Sequence, residues 1–150
     1  TTLEKCNFIL CTGLFDEHEE DLGYYKKLLQ GFTSKKLICT NPDLIVHRGD
    51  VKEYCAGSVA KIFESIGGKT VYFGKPYKEI YRMCFNEKEK TLAIGDNLNT
   101  DIKGANEMKI DSLFISKGVH RSEFKEESEL AELSNKYKVK PDYYQSDLIW

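Results

Sequence analysis

Two aspartates five residues apart, Asp96 and Asp101, close the stretch Leu92-Ala93-Ile94-Gly95-Asp96-Asn97-Leu98-Asn99-Thr100-Asp101. Its apolar residues read as a buried strand and the glycine as the strand's end. Asp101 then falls in the first turn of a helix, where the dipole favours negative charge. Both carboxylates stand at the C-terminal mouth of a strand, the edge at which open α/β sheets bind ligands. Side by side they repel, and one takes up a proton unless a cation lies between them. Mg²⁺ suits such a pair, because it takes one or two carboxylates together with waters and phosphate oxygens. Asp96 and Asp101 are therefore candidate metal ligands; the plainer reading makes Asp96 a turn cap and Asp101 a helix cap.

Lys75 is the second residue with chemistry to offer. It follows an apolar run and Gly74, and it precedes Pro76, which disfavours helical backbone at the lysine. A compact ammonium held at a strand end suits a phosphoryl oxygen and the charge that develops on a transferring phosphoryl group. A lone lysine is more simply an exposed one. The order strand-Gly-Lys-Pro-helix-strand-Gly-Asp-helix is much more specific than either piece.

The elements that must hold these residues alternate strand and helix, which predicts α/β architecture. Strands are expected at residues 7–11, 36–40, 70–73, 91–95 and 112–115, with a last one near 141–144. Asp16, three residues before Glu19, has capping-box spacing and predicts a helix carrying Leu22, Tyr25, Leu28 and Leu29 inward, closed by Gly31. Asn41-Pro42-Asp43 breaks the second strand, and a loop is expected through His47-Arg48-Gly49-Asp50. Val59, Ile62, Phe63 and Ile66 mark an amphipathic helix that Gly67-Gly68 stops. Pro76 is expected to open the next helix, with Tyr77, Ile80, Tyr81, Cys84 and Phe85 at helical spacing. Residues 100–108 and 122–137 complete the helices, the second anchored by Leu130 and Leu133, and the apolar end Leu148-Ile149-Trp150 is expected to dock on the body.

At 150 residues the chain has the size of one ordinary domain or two small units, and its 41% hydrophobic content argues against disorder. A net charge of -2 with scattered lysines leaves no basic footprint for nucleic acid. No apolar run approaches the ~20 residues that span a bilayer, and no signal peptide is visible, so neither nucleic acid nor membrane is an expected partner. Five cysteines without a C-x-x-C pair read as small, mostly buried thiols in a reducing cytoplasm. The chain opens Thr1-Thr2 without methionine, which leads us to expect a processed or cut product.

On Gly74-Lys75-Pro76 and on residues 95–102 the chain resembles the haloacid dehalogenase-like (HAD) superfamily of phosphohydrolases, whose third and fourth motifs these are similar to. The G-K-P form and the upstream Cys39-Thr40-Asn41-Pro42-Asp43 resemble the NagD-like subgroup, which inserts a large α/β cap before the motif lysine. The resemblance spans residues 8–118. It implies a Rossmann-like parallel sheet forming the C-terminal half of a HAD core at 75–150, with part of an α/β cap at 1–74.

The resemblance further implies Mg²⁺-dependent hydrolysis of a small phosphomonoester through an aspartyl-phosphate. Lys75 would be the catalytic lysine that steadies nucleophile and phosphate. Asp96 would bind Mg²⁺, with Asp101 a further ligand or its support, and Asn41, Asn97 and Lys75 would lie near substrate. The superfamily's nucleophile sits in an N-terminal D-x-D motif, and no D-x-D occurs in this chain. The chain therefore looks like the C-terminal part of a HAD protein, expected to be inactive alone and to need its missing half or self-association.

Against this stands a non-catalytic HAD-like module that binds a phosphorylated ligand or a protein. A receiver-like signalling domain is set lower, because receivers place the acid pair early and the lysine late, whereas Lys75 precedes Asp96. Arg48-Gly49-Asp50 is read as an ordinary turn. His18, His47 and His120 lack metal-ligand spacing and are read as surface imidazoles, with His47, in its loop, able to face a ligand. The tyrosines at core spacing are assigned to packing, and Glu126, Glu127 and Glu129 to a solvated helix face.

Overall fold

The computed structural model describes residues 1–86 and 88–149. The chain divides into two compact units, Thr1–Gly74 and Lys75–Trp150.

In the first unit the chain runs β1 (Phe8–Cys11), α1 (Leu22–Leu29), β2 (Lys36–Cys39), β3 (Ile45–Arg48), β4 (Val51–Tyr54), α2 (Ala56–Ser65) and β5 (Lys69–Tyr72). β1, β2 and β5 form a parallel sheet in that order, with Cys11 beside Cys39 and Cys39 beside Tyr72. One face is covered by α2, which packs on all three strands, and by α1 against α2. Tyr25, Leu29, Leu37, Cys39, Val59 and Phe63 fill the core between them. Burying side chains of this kind is worth roughly 1.5–3 kcal/mol each. Burial pushes the Cys11 thiol up to about 11, so it behaves as a small apolar group, not a nucleophile.

The second unit runs α3 (Lys78–Cys84), β6 (Leu92–Gly95), a π-helical turn (Leu98–Ile102), α4 (Lys103–Met108), β7 (Asp111–Ile115), α5 (Leu130–Tyr137) and β8 (Tyr143–Gln145). β6, β7 and β8 are again parallel neighbours. Leu98, Ile102, Phe114, Leu133 and Val139 form its core. Parallel strands joined by helices in both units make this a Rossmann-like α/β fold.

Several expectations are corrected. The loop expected through His47 is a hairpin: β3 and β4 pair antiparallel around Gly49 and Asp50, with Gly49 at φ 62°. A two-residue turn that needs positive φ selects glycine, so Arg48-Gly49-Asp50 is indeed a turn. α1 is capped by Asp21, whose carboxylate accepts the Tyr24 N–H at 2.9 Å, while Asp16 sits in a separate 3-10 turn. Pro76 lies ahead of α3, whose N-cap is Tyr77, and the Lys75-Pro76 bond is cis. The charged tail is helical only from Leu130, after a 3-10 turn at Glu127–Glu129. Cys84 is exposed, and so are Leu148 and Ile149, which do not dock; Trp150 lies outside the described residues. Among the described residues no helix is long and apolar enough to cross a membrane.

Candidate functional site

β6 ends at Gly95 and β7, its parallel neighbour, at Ile115, so the loops that follow both strands leave the same edge of the sheet. Asp96 is the first residue of one loop. Its Oδ2 accepts the N–H of Val119 in the other at 2.8 Å. A Cβ on Gly118 would lie 2.0 Å from that same oxygen, so only a glycine lets this loop close on the carboxylate. Asp96 is half-buried, and its other oxygen has no hydrogen-bond partner among the described residues.

Asp101 is held differently. Its side chain is 8% exposed; Oδ1 lies 2.5 Å from the Lys75 ammonium, and Oδ2 accepts the Asn97 N–H at 3.0 Å. The carboxylate lies against the end of β6, where a Cβ on Gly95 would meet its Cγ at 2.2 Å. Charge-assisted contacts of this kind are about twice as strong as neutral ones. The cation that Asp101 needs is thus supplied by the protein itself. Lys75 remains 46% exposed along its side chain, so the ammonium is anchored without being sealed off.

The segment that sets the spacing is the π-helical turn. The N–H groups of Thr100, Asp101 and Ile102 all point to the Asn97 carbonyl, at 3.3, 2.9 and 3.3 Å. Asn97 Oδ1 caps the turn by accepting the Asn99 N–H at 2.9 Å, and Asn97 is buried. The Tyr81 hydroxyl donates toward the carbonyls of Asp101 (3.2 Å) and Thr100 (3.4 Å) across Gly104, where a Cβ would clash with the ring. Single π-type turns recur at functional sites.

Of the sequence-derived candidates, the second unit therefore brings Lys75 and Asp101 into contact, with Asp96 and Asn97 on the same loop. The strand that precedes Lys75, β5, belongs to the first unit's sheet, whereas Asp96 and Asp101 follow β6 of the second unit's sheet. Asn41 lies in the first unit, where its Oδ1 accepts the Asp43 N–H at 3.2 Å. Pro42 and Asp43 crowd the first turn of α2, leaving no room for a Cβ on Gly57.

Sequence reasoning missed Gly118, Val119, Tyr81 and His120. Gly118 follows a strand much as Gly74 and Gly95 do, and that repeat was a usable signal. His120, read as a surface imidazole, is buried.

A bound Mg²⁺ fits only in part. Both oxygens of Asp101 are taken, so of the two candidate carboxylates only Asp96 keeps an oxygen without a hydrogen-bond partner among the described residues. Among the described residues no three His, Cys, Asp or Glu side chains gather to hold a metal ion. Mg²⁺ often keeps waters and phosphate oxygens in its shell, so a site that draws one ligand from this loop is chemically reasonable.

Residues 72–149 match the family described as HAD-hydrolase-like, and the chain belongs to that family. It is 33% identical over 88 residues to ribonucleotide monophosphatase NagD of Escherichia coli K12, a match covering 56% of this chain and 34% of that protein. It is 30% identical over 89 residues to dihydroxyacetone phosphatase of Corynebacterium glutamicum strain R, covering 56% and 32%. A crystal structure of a haloacid dehalogenase-like hydrolase from Brucella suis 1330 superposes with a TM-score of 0.80 at 30% identity, covering 99% of this chain and 58% of that one. The chain thus spans about a third of the curated relatives and under two thirds of the related structure.

Proposed function

We propose that the whole protein carrying this sequence is a Mg²⁺-dependent phosphatase acting on a small phosphomonoester through an aspartyl-phosphate, with the nucleophile outside this chain. Residues 1–74 are read as part of a cap and residues 75–150 as part of the catalytic core. The observation that carries the reading is the Lys75–Asp101 pair beside Asp96. It offers an anchored but accessible ammonium and one uncommitted carboxylate oxygen on a single loop system.

In this reading Asp101 orients Lys75, and Lys75 stabilises negative charge on the nucleophile and on the transferring phosphoryl group. Asp96 contributes a metal ligand. When bound, Mg²⁺ would neutralise phosphate charge and help align the group for in-line transfer. Asn41 is the proposed substrate contact from the cap. Asn97, proposed from the sequence as another, has Oδ1 committed to the Asn99 N–H and serves the shape of the loop. Free thiols at all five cysteines favour a cytoplasmic location.

The test is hydrolysis of p-nitrophenyl phosphate by the whole protein. Asp96→Asn and Lys75→Ala should each cut kcat by roughly 10²-fold or more, and a chelator should abolish activity. Full turnover by either variant, or indifference to chelator, defeats the proposal. This chain alone should bind Mg²⁺ weakly, which calorimetric titration will check. If the whole protein binds a phosphorylated ligand and turns none over, the non-catalytic binding module takes the reading's place.

A further inference from the structure

His120 is 3% exposed, and nothing in the reading above uses it. A buried imidazole needs partners for its polar atoms. Its Nε2 faces the backbone N–H of Leu98 at 3.2 Å, and its Nδ1 lies 3.0 Å from Glu123 Oε1. A backbone N–H only donates, so Nε2 is bare; an ionised carboxylate only accepts, so Nδ1 carries the proton. Glu123 is itself held ionised. Burial pushes its carboxyl up, but hydrogen bonds from the Lys136 ammonium, the His120 ring N–H and the Tyr137 hydroxyl outweigh that and hold it well below the usual carboxylate range. Lys136 and Tyr137 both lie on α5. The Tyr137 ring also packs edge-on against the imidazole, with centroids 4.7 Å apart.

Leu98 is two residues beyond Asp96, and Val119 is the residue before His120. Two hydrogen bonds of opposite sense therefore stitch the loops together. Val119 N–H reaches the Asp96 carboxylate, and Leu98 N–H reaches the His120 ring. Leu98 is wholly buried and opens the π-helical turn, so within the helix its N–H has no acceptor. We propose that His120, fixed by Glu123 as the neutral tautomer protonated on Nδ1, is a positioning residue that holds the Asp96 loop in the geometry its carboxylate needs. The inference rests on the role given to Asp96 above.

In the whole protein without metal, imidazole nitrogen NMR should show His120 protonated on Nδ1 and bare on Nε2. His120→Leu should speed hydrogen exchange of the Leu98 amide by about fivefold or more, the net worth of one hydrogen bond. It should also raise the Mg²⁺ concentration needed for half-maximal p-nitrophenyl phosphate hydrolysis. His120→Gln, whose Oε1 reaches the place of Nε2, should restore both. Glu123→Ala changes a partly exposed side chain and should mix the tautomers in a folded protein, which keeps the question decidable if His120→Leu does not fold. A proton on Nε2 in the parent protein overturns the inference, as does equal behaviour of the Leu and Gln variants. A parent without phosphatase activity would remove the proposed function, and the exchange and tautomer measurements would still decide whether His120 holds the loop.

Discussion

Asp96 and Asp101 are the same residue type on the same loop, yet their surroundings separate their work. Asp101 is buried with both oxygens matched, by an ammonium and a backbone N–H, whereas Asp96 is half-buried with one oxygen matched. Two glycines make that difference possible, since Gly95 and Gly118 leave the space that the carboxylates occupy. Gly118→Ala puts a methyl carbon 2.0 Å from Asp96 Oδ2 and must displace either the carboxylate or the loop. It should lower kcat in the whole protein by about 10²-fold, since misplacement near 1 Å has that scale of effect. Melting of the chain should change little by comparison. Parallel kinetics and thermal unfolding will check this, and unaltered kcat would show that Asp96 tolerates the shift. The Gly-Asp motif was legible from residue types alone. The pairing of Lys75 with Asp101 was not, because spacing places both residues near strand ends without saying which oxygen each nitrogen meets.

At the scale of elements, the strong periodic segments were legible and the short ones were not. α2 shows four apolar residues on one face, and the first five expected strands are built on apolar runs; period and composition reveal such elements directly. The β3–β4 hairpin was missed although Gly-Asp between two four-residue strands is a turn signature, because polar Arg48, Lys52 and Glu53 mask the alternation. The tail was expected to be helical from residue 122, but His120, Glu123 and Phe124 are occupied in tertiary contacts. His120 faces Leu98, Glu123 is drawn to α5, and Phe124 packs on Phe114. That contact set makes acid stability of the second unit depend on Glu123. Its carboxyl titrates near 2 when folded against an ordinary 4.5, so the stabilisation it gives is complete above about 4.5 and is lost as pH falls toward 2. Glu123→Gln should flatten this acid limb and leave stability near pH 7 lower than in the parent. Urea unfolding followed at pH 7, 4 and 3 measures it, and parallel losses in both proteins would exclude Glu123 as the cause.

For the molecule as a whole, each sheet is covered on one face and open on the other. Leu92, Ile94 and Tyr143 stay exposed on the second sheet, and Phe8, Leu10 and Val71 on the first. Their registers line these residues up, Leu10 with Ile38 and Val71, and Ile94 with Leu113 and Tyr143. Contiguous apolar faces beside an open strand edge favour association. This 150-residue chain, expressed by itself, should therefore self-associate as concentration rises. Sedimentation velocity will show it, Ile94→Lys should weaken it, and a monomer at all concentrations would contradict it. The sequence by itself determined the α/β class, the strand-ending glycines and the acidic motif, because hydrophobic period and backbone freedom are properties of neighbours along the chain. Only the tertiary structure decided that Asp101 anchors Lys75, that Asp96 keeps an oxygen to offer and that His120 closes the loop between them. Those outcomes depend on hydrogen-bond partners 22 to 26 residues apart in the chain, which only the folded backbone brings within 3.2 Å.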